Sequence, residues 1–166
     1  MKKLYIIALL FLFQTNPVKS QNVTRAVGIR GGITSGIEYR AFAHDYLSYR
    51  ALLSTRYNGI QFTGLKEFHE PGLLEFSDEF VVIYGFGAHV GFERWRAYNP
   101  RVGPHDNREN RGSPVAGLDA LAGVEYNFWD IPLTVGLEVK PYFSLFGRNF
   151  FHLQPFDFAV TIRYVF

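Results

Sequence analysis

The sequence predicts an all-β protein, an eight-stranded antiparallel up-and-down transmembrane β-barrel. Three observations carry that prediction. Eight segments of roughly ten residues alternate apolar with polar or Gly positions, the period of a strand with one apolar face. Nothing after residue 20 is an apolar run of helical membrane length, so a bilayer-spanning chain must close into a barrel. The last residues, Phe158-Ala159-Val160-Thr161-Ile162-Arg163-Tyr164-Val165-Phe166, set five apolar or aromatic side chains on one face. A strand that closes a barrel accounts for such an aromatic terminus, which in water would fray.

Two domains of very different character are expected. Residues 1–20 read as a signal peptide: a basic Met1-Lys2-Lys3, an apolar stretch from Leu4 to Phe13 too short to span, and Val18-Lys19-Ser20 where a signal peptidase cuts. Residues 21–166 are the barrel domain. Lys2, Lys3 and Lys19 leave with the leader, so 17 basic residues become 14 against 15 acidic ones, a net charge of −1. Of the basic residues that remain only Lys66 and Lys140 are lysines; the rest are Arg, which suits fixed pairs in confined places. There is no Cys, which excludes disulfides, thiolate metal sites, cysteine nucleophiles and lipid attachment at cysteine.

The segments follow in order. The first, Val23–Ile33, sets Val27, Ile29 and Ile33 against Gly28, Arg30 and Gly32, and Thr34-Ser35-Gly36 turns the chain. Gly36–His44 opposes Ile37, Tyr39, Ala41 and Ala43 to Glu38, Arg40 and Phe42. Tyr46–Arg56 opposes Leu47, Tyr49, Ala51 and Leu53 to Ser48, Arg50, Ser54 and Arg56, and Asn58-Gly59 is a strong hairpin signal. Ile60–His69 is less clean: Lys66 falls on the apolar face, from which it must snorkel to an interface, and Leu65 falls on the polar one.

After an acidic connection, Glu70–Glu79, the fifth segment, Phe80–Glu93, opposes Val82, Tyr84, Phe86, Val90 and Phe92 to Gly85, Gly87, His89 and Gly91. The longest loop is expected at Arg94–Val115. Gly117–Trp129 then sets Leu118, Ala120, Ala122, Val124 and Tyr126 against Asp119, Leu121, Gly123, Glu125 and Asn127. Leu133–Phe143 sets Leu133, Val135, Leu137 and Val139 against Thr134, Gly136, Glu138 and Lys140, and a second long loop is expected at Phe143–Pro155 before the closing strand. With both chain ends on the periplasmic side, the long fifth and seventh connections are external; the short first and third and the long fourth depart from that pattern.

Alternation is shared by lipocalin-like soluble carriers, whose apolar face points inward. Continuous aromatic faces, with aromatics at 17% of the chain, scarce Lys, opposite faces mixing Gly with single charges of both signs, and the terminal Phe favour the membrane. The whole pattern resembles the small eight-stranded outer-membrane barrels of Gram-negative bacteria, the OmpA-like and OmpX-like group. The closing strand carries it most sharply: Tyr164 and Phe166 stand at the two aromatic positions of the assembly signal of such proteins, with Thr161 where Gly is usual. The resemblance implies an outer-membrane location, contact with membrane lipid and lipopolysaccharide, delivery by the barrel assembly machinery, and a monomer.

The inward set holds Arg30, Arg40, Arg50, Arg56, Lys140 and Arg163 with Glu38, Glu67, Asp119, Glu125, Glu138 and Asp157. Equal numbers of both signs predict an ion-paired network that plugs the interior, which in an eight-stranded barrel is just wide enough for side chains. A narrow polar channel is the alternative. Gly85-Phe86-Gly87 is no nucleotide loop, since no helix follows it.

Five scattered His without metal-ligand spacing imply no metal, and no cofactor is expected. Some barrels of this size are lipid A deacylases or acyltransferases with a Ser/His/acid set on the lipid face. Here the central outward faces offer no His and no Ser, and nothing in the sequence brings Ser113 of the long loop to His105. No catalytic residue is assigned. The same loop carries Arg94, Arg96, Arg101, Arg108 and Arg111, a candidate anion-binding set for lipopolysaccharide phosphates or anionic glycans. The expected role is structural or adhesive, through external loops; a lipid A-modifying enzyme and a soluble carrier are the alternatives. Nucleic acid is not an expected partner.

Overall fold

A computed structural model describes residues 24–56, 58–73, 79–98, 108–147 and 151–166. The expected leader lies outside them. The elements are β1 (Arg25–Gly32), β2 (Ser35–His44), β3 (Leu47–Arg56), β4 (Gly59–Pro71), β5 (Phe80–Tyr98), β6 (Arg108–Asn127), β7 (Leu133–Val139), β8 (Tyr142–Phe146), β9 (His152–Gln154) and β10 (Phe158–Val165). All pairings are antiparallel. The sheet runs β5-β4-β3-β2-β1-β10-β7-β6, and the β5–β6 pairing closes the ring.

Ten elements make eight barrel strands because two are interrupted. Pro141 has no N–H to give the ladder, which splits the seventh strand into β7 and β8. Yet Ala122↔Val139 and Asp119↔Tyr142 keep one register across the break, and Pro141 still accepts from the Ala120 N–H at 2.8 Å. The eighth strand is β9 followed by β10, with Asp157 at the junction; its carbonyl accepts from the Lys140 N–H at 3.0 Å. The seam pairs β1 with β10 from Ala26↔Val165 to Gly32↔Ala159. One rung further, the Arg25 N–H donates to the Phe166 carbonyl at 2.9 Å and the Phe166 N–H returns to Arg25 at 2.8 Å.

Two expected loops are corrected. Arg94–Val115 is not a loop: β5 and β6 stay paired out to Tyr98↔Arg108, so only residues 99–107 connect them. The apolar outward face of β5 ends at Phe92. Glu93 is buried, Arg94 exposed and Trp95 half-buried, so beyond Phe92 the outward position turns from aromatic to charged. Phe143–Pro155 is likewise largely strand, with Tyr142↔Gln154 and Ser144↔His152 paired.

The outward wall is apolar: Ile29, Ile37, Phe62, Phe86, Val90, Leu137 and Phe158 are all more than half exposed. Inside, the lumen is divided. Leu65, the residue that broke the alternation of its segment, is buried with Val81, Ile83 and Leu121 in an apolar cluster on β4, β5 and β6. Charged and polar side chains line the remainder.

Strand approach sets a sharp test. A Cβ on Gly87 would lie 1.9 Å from the Gly64 carbonyl oxygen of β4, whereas one on Gly64, pointing outward, meets nothing within 4 Å. Gly87→Ala is expected to push β4 and β5 apart and lower the urea midpoint of the folded protein. Gly64→Ala is expected to be neutral or to stabilise by up to about 1 kcal/mol, since interior Gly is entropically costly. Equal midpoints for the two variants would contradict the close approach.

Candidate functional site: the charged interior

Strand phase decides which residues meet. Even-numbered residues of β1, β2, β3, β7 and β8 and odd-numbered residues of β4, β5, β6 and β10 point into the lumen, as their burial records. Ten side chains expected in the network, Arg30, Glu38, Arg40, Arg50, Glu67, Asp119, Glu125, Glu138, Lys140 and Arg163, are each at most 4% exposed. The side chain of Arg56 lies outside the described set.

The central group consists of four arginines and four glutamates. Arg40 forks onto Glu125, with Nη2–Oε1 at 2.7 Å and Nη1–Oε2 at 2.8 Å, and its Nε lies 2.9 Å from Glu67. Arg50 reaches three carboxylates: Glu138 at 2.7 Å, Glu38 at 3.0 Å and Glu67 at 2.5 Å. Arg163 pairs with Glu38 and Glu125 and lies 3.3 Å from Glu138. Glu138 also takes the Arg30 Nε at 2.7 Å, so three guanidiniums share one carboxylate. The planar fork of Arg suits this crossing of strands better than a point charge would.

A second group lies beside it. Lys140 Nζ is 2.8 Å from Asp119 and 3.6 Å from Asp157. Asp157 also accepts from the Thr34 hydroxyl at 2.7 Å and its N–H at 3.1 Å, and faces Arg30 at 3.3 Å, which links the two groups. Thr34, expected only as a turn residue, is thus part of the interior.

His89 also reaches Asp119. Its Nδ1 lies 2.7 Å from Asp119 and its Nε2 lies 3.5 Å from the Ser144 hydroxyl. The order Ser–His–Asp is that of a nucleophilic triad. Three features argue against that use. Ser144, His89 and Asp119 are at most 4% exposed, the Ser–His contact is at the limit of a hydrogen bond, and Lys140 already occupies the second oxygen of Asp119. Ser144 had been expected in a loop. The signal that places it was available, since residues 134, 136, 138, 140, 142 and 144 keep one unbroken parity into the lumen.

A cavity of about 610 Å3 opens at the end of the barrel that holds the Arg25–Phe166 rung, with Phe42, His69, Phe128 and Pro132 on its walls and Arg40, Glu125 and Arg163 also lining it. His69 is not free to meet a ligand through Nε2, which lies 2.8 Å from the Ser48 hydroxyl. At the other end, the β5–β6 ribbon rises past Ile60↔Phe92 and Ala116↔Phe146, the last rungs it shares with β4 and β8. Arg94 and Arg96 are on its β5 strand and Arg108 and Arg111 on its β6 strand, while Arg101 lies outside the described residues. Four of the five residues of the candidate anion-binding set are therefore carried by a ribbon rather than a loop. The Arg94 guanidinium lies 5.9 Å from the Phe92 ring centre. Tyr164 and Phe166 stack at 6.3 Å on the outward wall.

The fold has a solved counterpart. The N-terminal β-barrel domain of Pseudomonas aeruginosa OprF, known from its crystal structure, is similar over 86% of this chain and 97% of that one, with a TM-score of 0.63 and 10% identity. At that identity the likeness bears on the fold alone. No family model and no curated protein matches the chain.

Glu138 is the most connected acid, and its loss would leave Arg30, Arg50 and Arg163 short of countercharge inside the barrel. Glu138→Ala is expected to destabilise the folded barrel by about 3–5 kcal/mol, read from urea unfolding followed by tryptophan fluorescence. A loss under about 1 kcal/mol, the worth of an exposed pair, would mean that water enters the network.

Proposed function

We propose that this chain is an integral outer-membrane β-barrel protein whose lumen is closed by its own ion pairs, with a structural, adhesive or surface-interaction role through the β5–β6 ribbon. The observation that carries this reading is the direction of the side chains. The wall facing away from the lumen is a continuous apolar and aromatic surface, while the lumen holds paired charges. A lipocalin-like carrier needs the reverse. Hydrocarbon requires this arrangement, and the sealed β1–β10 seam meets its second demand, that no strand edge be left open.

In the proposed orientation both chain ends lie on the periplasmic side, and the ribbon projects outward beyond the lipid. Its arginines would meet lipopolysaccharide phosphates or anionic glycans by charge-assisted hydrogen bonds. Tyr164 and Phe166 would serve the assembly machinery. The protein would act as a monomer and carry out no acyl-transfer chemistry, because the Ser144–His89–Asp119 order is sealed from any lipid substrate.

Two measurements test the reading. The purified protein is expected to show heat-modifiable migration and to need detergent for solubility; a water-soluble monomer would overturn the membrane assignment. In planar bilayers it is expected to pass no steady current, and an open pore in the unmodified protein would overturn the plug. Double replacement of Arg50 and Glu138 by Ala, which removes the most shared contacts of the network, is expected to raise conductance.

A further inference from the structure

Lys66 is the one charged side chain within the apolar band of the outward wall, among the described residues. Its ladder partners there are Tyr49 on β3 and Phe86 on β5. The side chain is half-buried, its Nζ lies 5.4 Å from the Phe68 ring centre, and no carboxylate among the described residues comes within ion-pair distance. An ammonium without countercharge on a hydrocarbon-facing wall is tolerated only near an interface. The Phe68 contact gives the direction it takes, toward the Glu70 end of β4.

That end has the marks of an interface. Phe68 and Tyr84 stack at 5.4 Å, and the Tyr84 hydroxyl donates to Glu70 at 3.2 Å. Such rings with one wet end belong at headgroup level. Glu70 is four residues from Lys66, about 13 Å along a strand and about 10 Å along the normal after strand tilt. The ammonium, bent over Phe68, therefore sits at the inner margin of the headgroups, with N–H donors to spare.

On the other side of Lys66, toward the bilayer centre, the wall is recessed. Gly64 is the next outward residue of β4, its ladder partners are Ala51 and Ala88, and a Cβ on Gly64 would meet nothing within 4 Å. A cation at headgroup level above a shallow apolar trough matches a molecule with an anionic head and a hydrocarbon tail.

We propose that Lys66, the Phe68–Tyr84 ring pair and the Ala51–Gly64–Ala88 recess bind one anionic phospholipid, with its phosphodiester on the ammonium and an acyl chain in the recess. A zwitterionic lipid carries its own cation beside the phosphate and gains less from Lys66. The proposal rests on the membrane reading above.

The test is native mass spectrometry of the full-length protein folded in detergent, with phosphatidylglycerol or phosphatidylcholine of identical chains added. The unmodified protein is expected to hold one phosphatidylglycerol with about fivefold preference, the pull of a single basic side chain at a membrane surface. Lys66→Met is expected to lose the preference and Lys66→Arg to keep it. Gly64→Leu, which fills the recess, is expected to weaken both lipids. Persistence of the preference in Lys66→Met, no preference in the unmodified protein, or a Lys66-dependent dimer in place of bound lipid would each overturn the site while heat-modifiable migration leaves the membrane reading intact. A protein soluble without detergent would overturn both.

Discussion

Charges enter the interior of this barrel only in company. Removing an ion from water costs several kcal/mol even after relaxation, and only close, well-directed partners recover it. Glu138 between Arg30, Arg50 and Arg163, and Arg40 forked onto Glu125, are such partners. They tie β1, β2, β3, β6, β7 and β10 together across the lumen, at sequence separations as large as 108 residues. The network therefore does more than fill space. It favours the one closed arrangement in which each of the four central glutamates finds its arginines.

The same constraint shapes the rest of the structure. An interior filled with guanidinium forks needs strands that approach closely elsewhere, and Gly87 facing the Gly64 carbonyl is one such approach. Leu65, Val81, Ile83 and Leu121 form an apolar cluster on β4, β5 and β6 beside these charges. Around the closed ring each described barrel strand is paired on both sides, and the outer wall presents apolar side chains. Lys66 departs from that rule with no countercharge of its own from the described chain, which is why it points to a lipid rather than to a fold requirement.

The barrel, its strand order and the inward identity of the charged residues were legible in the sequence. Period-two alternation fixes the face of each residue once a strand is placed, so Arg30, Glu38 and Arg163 fell inward without any structure. The ribbon above the barrel was not legible because the outward position passes from Phe92 to Arg94 and the inward one from Glu93 to Trp95, which ends the pattern of the barrel wall. Ser144 was not legible as interior because the seventh segment was ended at Phe143, although the parity of the strand runs on through Ser144. Leu65 appeared as a flaw in its segment and is instead part of an internal core.

The sequence by itself determined that this chain alternates, that its aromatic face is continuous, and that balanced charges of both signs share the other face. Those are local properties of spacing and composition. Only the tertiary structure decided which acid meets which base, that Asp119 holds both Lys140 and His89, that Thr34 caps Asp157, and that Lys66 lies between an aromatic pair and a recess. Partnership across a barrel depends on register and stagger. These are set by the closing of the whole ring, and no single strand contains them.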